Sequence, residues 1–273
     1  MLPQLDSLLA LNLQHNNIKR WEIKIGEKRF TPILQRYVNK VNSGDGLQLA
    51  GNPLSEYIIT AEARDEIVNE WIRILGPLQT VREIRMEGCY LDDDAICALA
   101  ETSRTRKNLR TFNVGGNKFT NVSCLASLLD LEHLGMGDNE INDINPLSTL
   151  VKLKYLQLSD NKLTILPPSF SSLVNLERLI LYDNSIGNIE GLASLVRLTH
   201  LELQKNLITD IQETFAPLVG LKYLDLEDNN ISNVTSLRTL YNLDDLCLRG
   251  NPINATHVLS LQKELGSTCF CVA

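Results

Sequence analysis

A repeated frame constrains this chain more than any other feature. In residues 176–211, LERLILYDNSIGNIEGLASLVRLTHLELQKNLITDI, the positions Leu176, Leu179, Leu181, Asn184 and Ile186 recur 22 residues later as Leu198, Leu201, Leu203, Asn206 and Ile208. Written L-x-x-L-x-L-x-x-N-x-L, the frame begins at Leu109, Leu131, Leu153, Leu176, Leu198, Leu221 and Leu243, at spacings of 22 or 23 residues. Another copy begins at Val81, 28 residues before Leu109, with Cys89 in the asparagine slot. Weaker copies run from Leu8 to Asn16 and Ile18, and around Leu47, Leu49, Asn52 and Leu54, making ten in all. Periods of this length are the mark of a chain that stacks one small unit on the next.

The L-x-L step alternates with period two, which makes a short strand with both leucines on one side. Such a strand cannot bury its leucines alone, so equivalent strands must lie side by side as a parallel sheet over a continuous core. The asparagine follows the strand, where the chain turns inward and its amides lack ladder partners. A side-chain amide both donates and accepts, and a column of them satisfies buried backbone groups. The spacing and fixed residues resemble the leucine-rich-repeat family across nearly the whole chain. The 22–23-residue copies, with Asn188-Ile-Glu-Gly-Leu-Ala-Ser-Leu, are similar to the leucine-rich regulatory subunit of protein phosphatase 1. Ile144-Asn-Pro-Leu-Ser-Thr-Leu is similar to internalin repeats, and the 28-residue copy resembles those of ribonuclease inhibitor. The resemblance implies an α/β solenoid, a horseshoe with a parallel sheet on its concave side.

Repeat length decides the convex side. After a strand and its turn, a 22-residue copy leaves only about a dozen residues for the return, which favours 3-10 turns or short extended pieces. The longer N-terminal copies have room for α-helices. TPILQRYVNKVN offers Thr31 as a cap, Pro32 at the first helical position, and an apolar face of Ile33, Leu34, Tyr37, Val38 and Val41. AEARDEIVNEWIRIL places Ile67, Trp71, Ile74 and Leu75 on one face. DDDAICALAET starts with three aspartates, suited to a helix N-terminus, and turns Ile96, Leu99 and Ala100 inward. A helix-backed part, residues 1–119, therefore joins a slimmer part, residues 120–273, in one expected solenoid. The tail HVLSLQKELGSTCFCVA predicts a short amphipathic helix through Val258, Leu259, Leu261 and Leu265, without the aromatic-arginine cap of the phosphatase subunit.

Composition narrows the setting. No apolar run approaches the roughly 18 residues of a membrane span. The N-terminal MLPQLDSLLALNL has no basic start and contains Asp6 and Asn12, which reads against a secretory leader. Cys89, Cys97, Cys124, Cys247, Cys269 and Cys271 mostly stand singly in apolar frames, so a reducing, cytoplasmic protein is expected. Asn121-Val-Ser, Asn233-Val-Thr and Asn254-Ala-Thr match the glycosylation acceptor, a pattern short enough to arise by chance. Residues 1–119 hold 16 Lys+Arg against 15 Asp+Glu, and residues 120–273 hold 10 against 18. A net of −8 in the second part reads against nucleic acid or an anionic membrane as partner.

Candidate chemistry is sparse. There is no phosphate loop or nucleotide fingerprint, and Cys269-Phe-Cys271 has neither zinc spacing nor a nearby histidine. No cofactor or metal is expected. His133 and His200 share a column three repeats apart, roughly 14 Å, too far for one ion. Glu202 and Asp225 are equivalent residues of adjacent repeats, about 5 Å apart, a separation known from retaining glycosidases. On an open sheet, with Glu227 and Asp228 beside them, they read as an acidic docking patch instead.

The positions that vary are the ones that point out of the core. One outward column reads His133, Tyr155, Arg178, His200, Tyr223, Asp245. The next reads Gly135, Gln157, Ile180, Glu202, Asp225, Cys247, and the third Gly137, Ser159, Tyr182, Gln204, Glu227, Arg249. Aromatics and arginine among polar neighbours are the composition of a protein-binding surface. The expectation is a non-enzymatic interaction scaffold binding a protein through Tyr155, Arg178, Ile180, Tyr182, His200, Glu202, Tyr223, Asp225 and Glu227. Tyr155, Ile180, Tyr182 and Tyr223 would be its exposed anchors, and the carboxylates would meet a basic flank on the partner. The phosphatase resemblance implies a regulatory subunit as the alternative, and a cytoskeletal or axonemal adaptor is a third form.

Overall fold

The computed structural model describes residues 11–12, 46–48, 82–88, 91–104, 109–211, 214–266 and 269–271. The chain divides into two compact units, Met1–Phe119 and Thr120–Ala273.

In the first unit, β1 (Leu11–Asn12), β2 (Gly46–Gln48), β3 (Glu83–Arg85) and β4 (Thr111–Asn113) pair in parallel and in chain order. The frame residues stay aligned across them, Leu47 beside Ile84 and Ile84 beside Phe112. The aspartate run does start a helix, α1 (Asp93–Arg104), with Asp93 and Asp94 in its first turn. Asp92 accepts the Ala95 N–H at 3.1 Å, and Ile96, Leu99 and Ala100 are fully buried. Cys97, also on α1, is disulfide-bonded. The helices expected over 31–42 and 61–75, and Cys89, lie outside the described residues.

In the second unit the strands are β5 (His133–Gly135), β6 (Tyr155–Gln157), β7 (Arg178–Ile180), β8 (His200–Glu202), β9 (Tyr223–Asp225), β10 (Asp245–Cys247) and β11 (Cys269–Cys271). They too are parallel, in chain order and in register. Each strand from β5 to β10 centres on a frame leucine, Leu134, Leu156, Leu179, Leu201, Leu224 and Leu246, and all six are fully buried.

The return segments follow from a second spacing. Val122, Leu125, Leu128 and Leu131 stand three apart, as do Ile144, Leu147, Leu150 and Leu153. Side chains three apart stack on one side of a helix with three residues per turn, so burying them selects the 3-10 form. The backbone complies: Leu125 N–H donates to Val122 O, Leu128 to Leu125 and Leu131 to Leu128, at 3.0–3.1 Å. Among the described residues five such turns occur, Ser123–Ser127, Asn145–Thr149, Pro168–Ser172, Glu190–Leu192 and Thr235–Thr239. The two 23-residue copies, beginning at Leu153 and Leu198, have an extra residue here and fill the core slot with Phe170 and Phe215. Cys124, in the first turn, is disulfide-bonded. The expectation that most cysteines stand singly did not foresee this state at Cys97 and Cys124.

The Asn-X-Ser/Thr matches have a local cause. Asn121, Asn233 and Asn254 each accept, through Oδ1, the backbone N–H two residues on, at 2.8, 3.0 and 2.9 Å. Asp143 and Asn188 make the same bond to Asn145 and Glu190. These Asx turns start the return segment, and Ser or Thr suits its first turn. The tail helix, α2 (Ala255–Leu265), is capped by Asn254. Leu261 and Leu265 are buried on it, but Leu259, expected on the same face, is 65% exposed. Its direction lies about 100° from that of Val258, off the stripe that 258, 261 and 265 share.

The asparagine column locks one repeat to the next. Asn184 Nδ2 donates to Leu158 O of the preceding repeat at 2.9 Å and to Leu181 O at 3.1 Å, while Oδ1 accepts Leu163 N–H at 3.0 Å. Asn161, Asn206, Asn229 and Asn251 repeat this set, and so does Asn117 in the first unit. The residue before the asparagine is always left-handed, with φ between +50° and +72°: Gly116, Asp138, Asp160, Asp183, Lys205, Asp228 and Gly250. Glycine and aspartate tolerate that region, lysine less so. Gly250 has a second reason, since a Cβ there would meet Asp228 Oδ1.

Two stability predictions follow from this turn. Asn184→Ala should lower stability by about 1–3 kcal/mol, because it orphans buried backbone groups in two repeats. A denaturation midpoint equal to that of the parent would show that water serves those groups instead. Lys205→Asn should raise stability by about 0.5–1 kcal/mol by relieving the left-handed lysine. The same chemical melt checks it, and a loss would mean that the exposed Lys205–Asp183 pair, at 3.3 Å, outweighs backbone strain.

Candidate functional site

Seven of the nine expected residues lie on the strands of the second unit and two just past strand ends. Register places Tyr155, Arg178, His200 and Tyr223 side by side in one column, and Ile180, Glu202 and Asp225 in the next. Tyr182 and Glu227 stand two residues beyond those of the second column, just past the strand ends. Their exposures differ more than the pattern suggested. Arg178 is exposed, and Tyr155, Tyr182, His200, Glu202, Tyr223 and Glu227 are half-buried. Ile180 and Asp225 are each only 7% exposed, which corrects the reading of Ile180 as an exposed anchor and of Asp225 as a free docking charge. The second column has side chains on both flanks, and strands about 4.8 Å apart leave little room between them.

The first column carries ring pairs that sequence reading did not anticipate. His133 and Tyr155 lie 6.2 Å apart between centroids, and His200 stacks on Tyr223 at the same distance with planes 20° apart. Their signal was present in the shared column, at spacings of 22 and 23 residues. Each pair holds its rings in one orientation on adjacent strands.

The carboxylates are engaged within the molecule. Arg178 reaches Glu202 at 3.3 Å, and Arg249 hydrogen-bonds Glu227. Asp225 accepts the Glu227 backbone N–H at 2.9 Å. Burial raises the Asp225 carboxyl above its ordinary pKa, and the charges of Glu227 and Glu202 raise it further. Burial together with the Asp225 charge pushes Tyr223 up to about 12. The same two causes raise the Cys247 thiol to about 12, beside the free and exposed Cys271. Acids away from the face bridge neighbouring repeats: Asp130 to Lys152 at 2.5 Å, Glu132 to Lys154 at 2.8 Å and Glu140 to Lys162 at 2.7 Å.

Glu202 and Asp225 are register partners, as expected from their repeat positions. The arginine on one and the burial of the other make them unlike partners. Among the described residues, no group of three or more His, Cys, Asp and Glu is placed to hold a metal ion. Among the same residues, no helix is long and apolar enough to cross a membrane.

In-register three-residue strands, 3-10 returns and an inter-repeat asparagine column define a protein built of leucine-rich repeats. Residues 151–194 and 174–217 match the family model described as leucine-rich repeats in two copies, and residues 196–253 match a leucine-rich-repeat model. The chain is a leucine-rich-repeat protein. Its fold is similar to that of the internalin InlF from Listeria monocytogenes, at a TM-score of 0.69 and 23% identity, over 98% of this chain and 83% of that one. It is also similar to the plant peptide hormone receptor RGFR1, solved in complex with RGF2, at 0.55 and 26%, over 66% of this chain and 30% of the receptor. TLR13, solved in complex with ssRNA13, is similar at 0.61 and 21%, over 84% and 36%. No curated protein sequence gives a significant match to the chain.

The raised Asp225 pKa has a measurable sign. Between the unfolded and folded pKa values the native state holds the extra proton, so stability falls as pH rises through that window. Above the window the ionised, buried carboxylate opposes folding. Asp225→Asn, which keeps an acceptor for the Glu227 amide, should therefore melt higher than the parent at neutral pH. The advantage should shrink as pH falls below the carboxylate range. Equal midpoints at neutral pH would show that Asp225 is solvated.

Proposed function

We propose that this protein is a non-enzymatic interaction module that binds a protein partner on the exposed face of its C-terminal sheet. One observation carries the reading: three half-buried tyrosines, Tyr155, Tyr182 and Tyr223, stand on or just past the strands of four consecutive repeats, two of them against histidine rings. Aromatic side chains already held in place lose little entropy on binding and dominate interface energetics. Arg178, exposed and beside them, adds a planar donor.

The partner's chemistry follows from what the face leaves unsatisfied. Glu202 and Glu227 already have arginine partners, so a basic flank on the partner would compete with Arg178 and Arg249. An apolar or aromatic anchor with hydrogen-bonding neighbours suits the surface better. The RGFR1 and TLR13 complexes lend the fold both a peptide and an RNA as possible ligands. Protein is favoured here because a net of −8 over residues 120–273 repels phosphate. A phosphatase regulatory subunit and a cytoskeletal or axonemal adaptor are particular forms of this reading, separated by the partner's identity.

Affinity purification from the native cell, with the partner identified, is the first test. The compartment of capture tests the cytoplasmic expectation at the same time. Tyr182→Ala should then weaken binding by 2 kcal/mol or more, roughly thirtyfold, with little change in melting temperature. Calorimetry measures it, and unaltered affinity would move the site off this face.

A further inference from the structure

A second surface runs along the return side of the C-terminal unit. Leu129, Val151, Val174, Val196, Val219 and Tyr241 each stand two residues ahead of a frame leucine, at spacings of 22 or 23. All six are between 39% and 69% exposed, although apolar. Single exposed apolar residues need no explanation, but the same slot filled this way in six consecutive repeats makes a continuous ridge. Its backbone is tied from repeat to repeat: Asn175 donates to Val151 O at 2.7 Å and Asn242 to Val219 O at 2.8 Å. On one flank the turns contribute small hydroxyl residues, and two of these also bridge repeats, Thr149 to Ala126 O and Ser172 to Ser148 O.

We propose that this ridge is a self-association surface, and that its occupant is the same ridge of a second copy of this chain, running antiparallel. Charge supports that choice. Residues 120–273 carry a net of −8, so two copies repel through most faces, whereas the ridge itself is uncharged. A two-fold axis between Val174 and Val196 sets Val174 against Val196 of the second copy, Val151 against Val219, and Leu129 against Tyr241. The residue following each ridge position then meets a neutral one: Asp130 meets Asn242, Lys152 meets Gly220 and Arg197 meets Asn175. No like charges face each other at these six positions. The six side chains expose on the order of 500 Å², a patch of functional size. The flanking hydroxyl residues extend it toward the roughly 800 Å² per partner of a stable complex.

Sedimentation of the full chain, with Val174→Asp, Val196→Asp and the near-isosteric Val196→Thr, tests the proposal. The parent should sediment at twice its 30.6 kDa chain mass, undiminished in high salt because apolar contact is not screened. Each aspartate variant should shift the association constant down by at least tenfold, and the threonine variant by less, with melting temperatures unchanged. Tyr182→Ala, on the other face, should leave the dimer intact, so failure of the ridge and failure of the sheet face are read separately. A parent that stays monomeric at high protein concentration, or a dimer that neither aspartate weakens, overturns the proposal.

Discussion

The fold depends on the bonds that one asparagine side chain makes across two repeats. A three-residue strand buries a single leucine and pairs only with its neighbours, so no repeat is stable alone. At the end of each strand the chain must turn inward, which carries backbone amides and carbonyls into the core without sheet partners. Asn206 shows how this is met: its amide donates to Leu181 O and Leu203 O, and its oxygen accepts Ile186 N–H, all while 4% exposed. The bonds to Leu181 and Ile186 reach into the preceding repeat. Each asparagine therefore fixes both its own turn and the spacing to the repeat before it. The register of the whole face inherits that spacing.

The same turn explains part of the unit's acidity. Four left-handed positions before the asparagine are aspartates, Asp138, Asp160, Asp183 and Asp228, where a short polar side chain tolerates positive φ. Asp183 also pairs with Lys205, and Asp130, Glu132 and Glu140 link to lysines 22 residues on. Carboxylates chosen by backbone geometry, or paired to the next repeat, say little about a partner's charge. Net charge still sets the long-range field that disfavours phosphate. The short-range surface is closer to neutral, and this is why the aromatic column, rather than the acids, is the basis of the binding proposal.

How far the sequence could be read depended on whether a property is periodic. Strand positions, parallel order, the neighbouring of Glu202 and Asp225, and the 3-10 returns follow from a 22–23-residue spacing that survives without coordinates. The α1 helix was legible because its aspartates and apolar stripe are local. The burial of Ile180 was not, because it depends on how far the Arg178 and Tyr182 columns lean over it. The arginine partners of Glu202 and Glu227 were likewise hidden: 24 and 22 residues separate them, and side-chain direction decides whether they meet. The exposed slot before each frame leucine was periodic and in plain view. Its exposure needs coordinates, because period alone does not decide whether a repeated apolar slot is buried.

That difference bears on how a solenoid divides its work. Positions buried in every repeat make the scaffold and must stay constant, since one polar replacement breaks two interfaces. Outward strand positions are free to vary, as Tyr155, Arg178, His200 and Tyr223 do in successive repeats. An exposed position that is constant and apolar fits neither role, because solvent asks for no leucine, valine or tyrosine at the same slot six times. Repetition along a ridge instead suits a partner that is itself repetitive, and a second copy of the chain has the same period by construction. The varied face and the constant ridge therefore ask for different ligands: one of unique sequence, and one with the solenoid's own spacing.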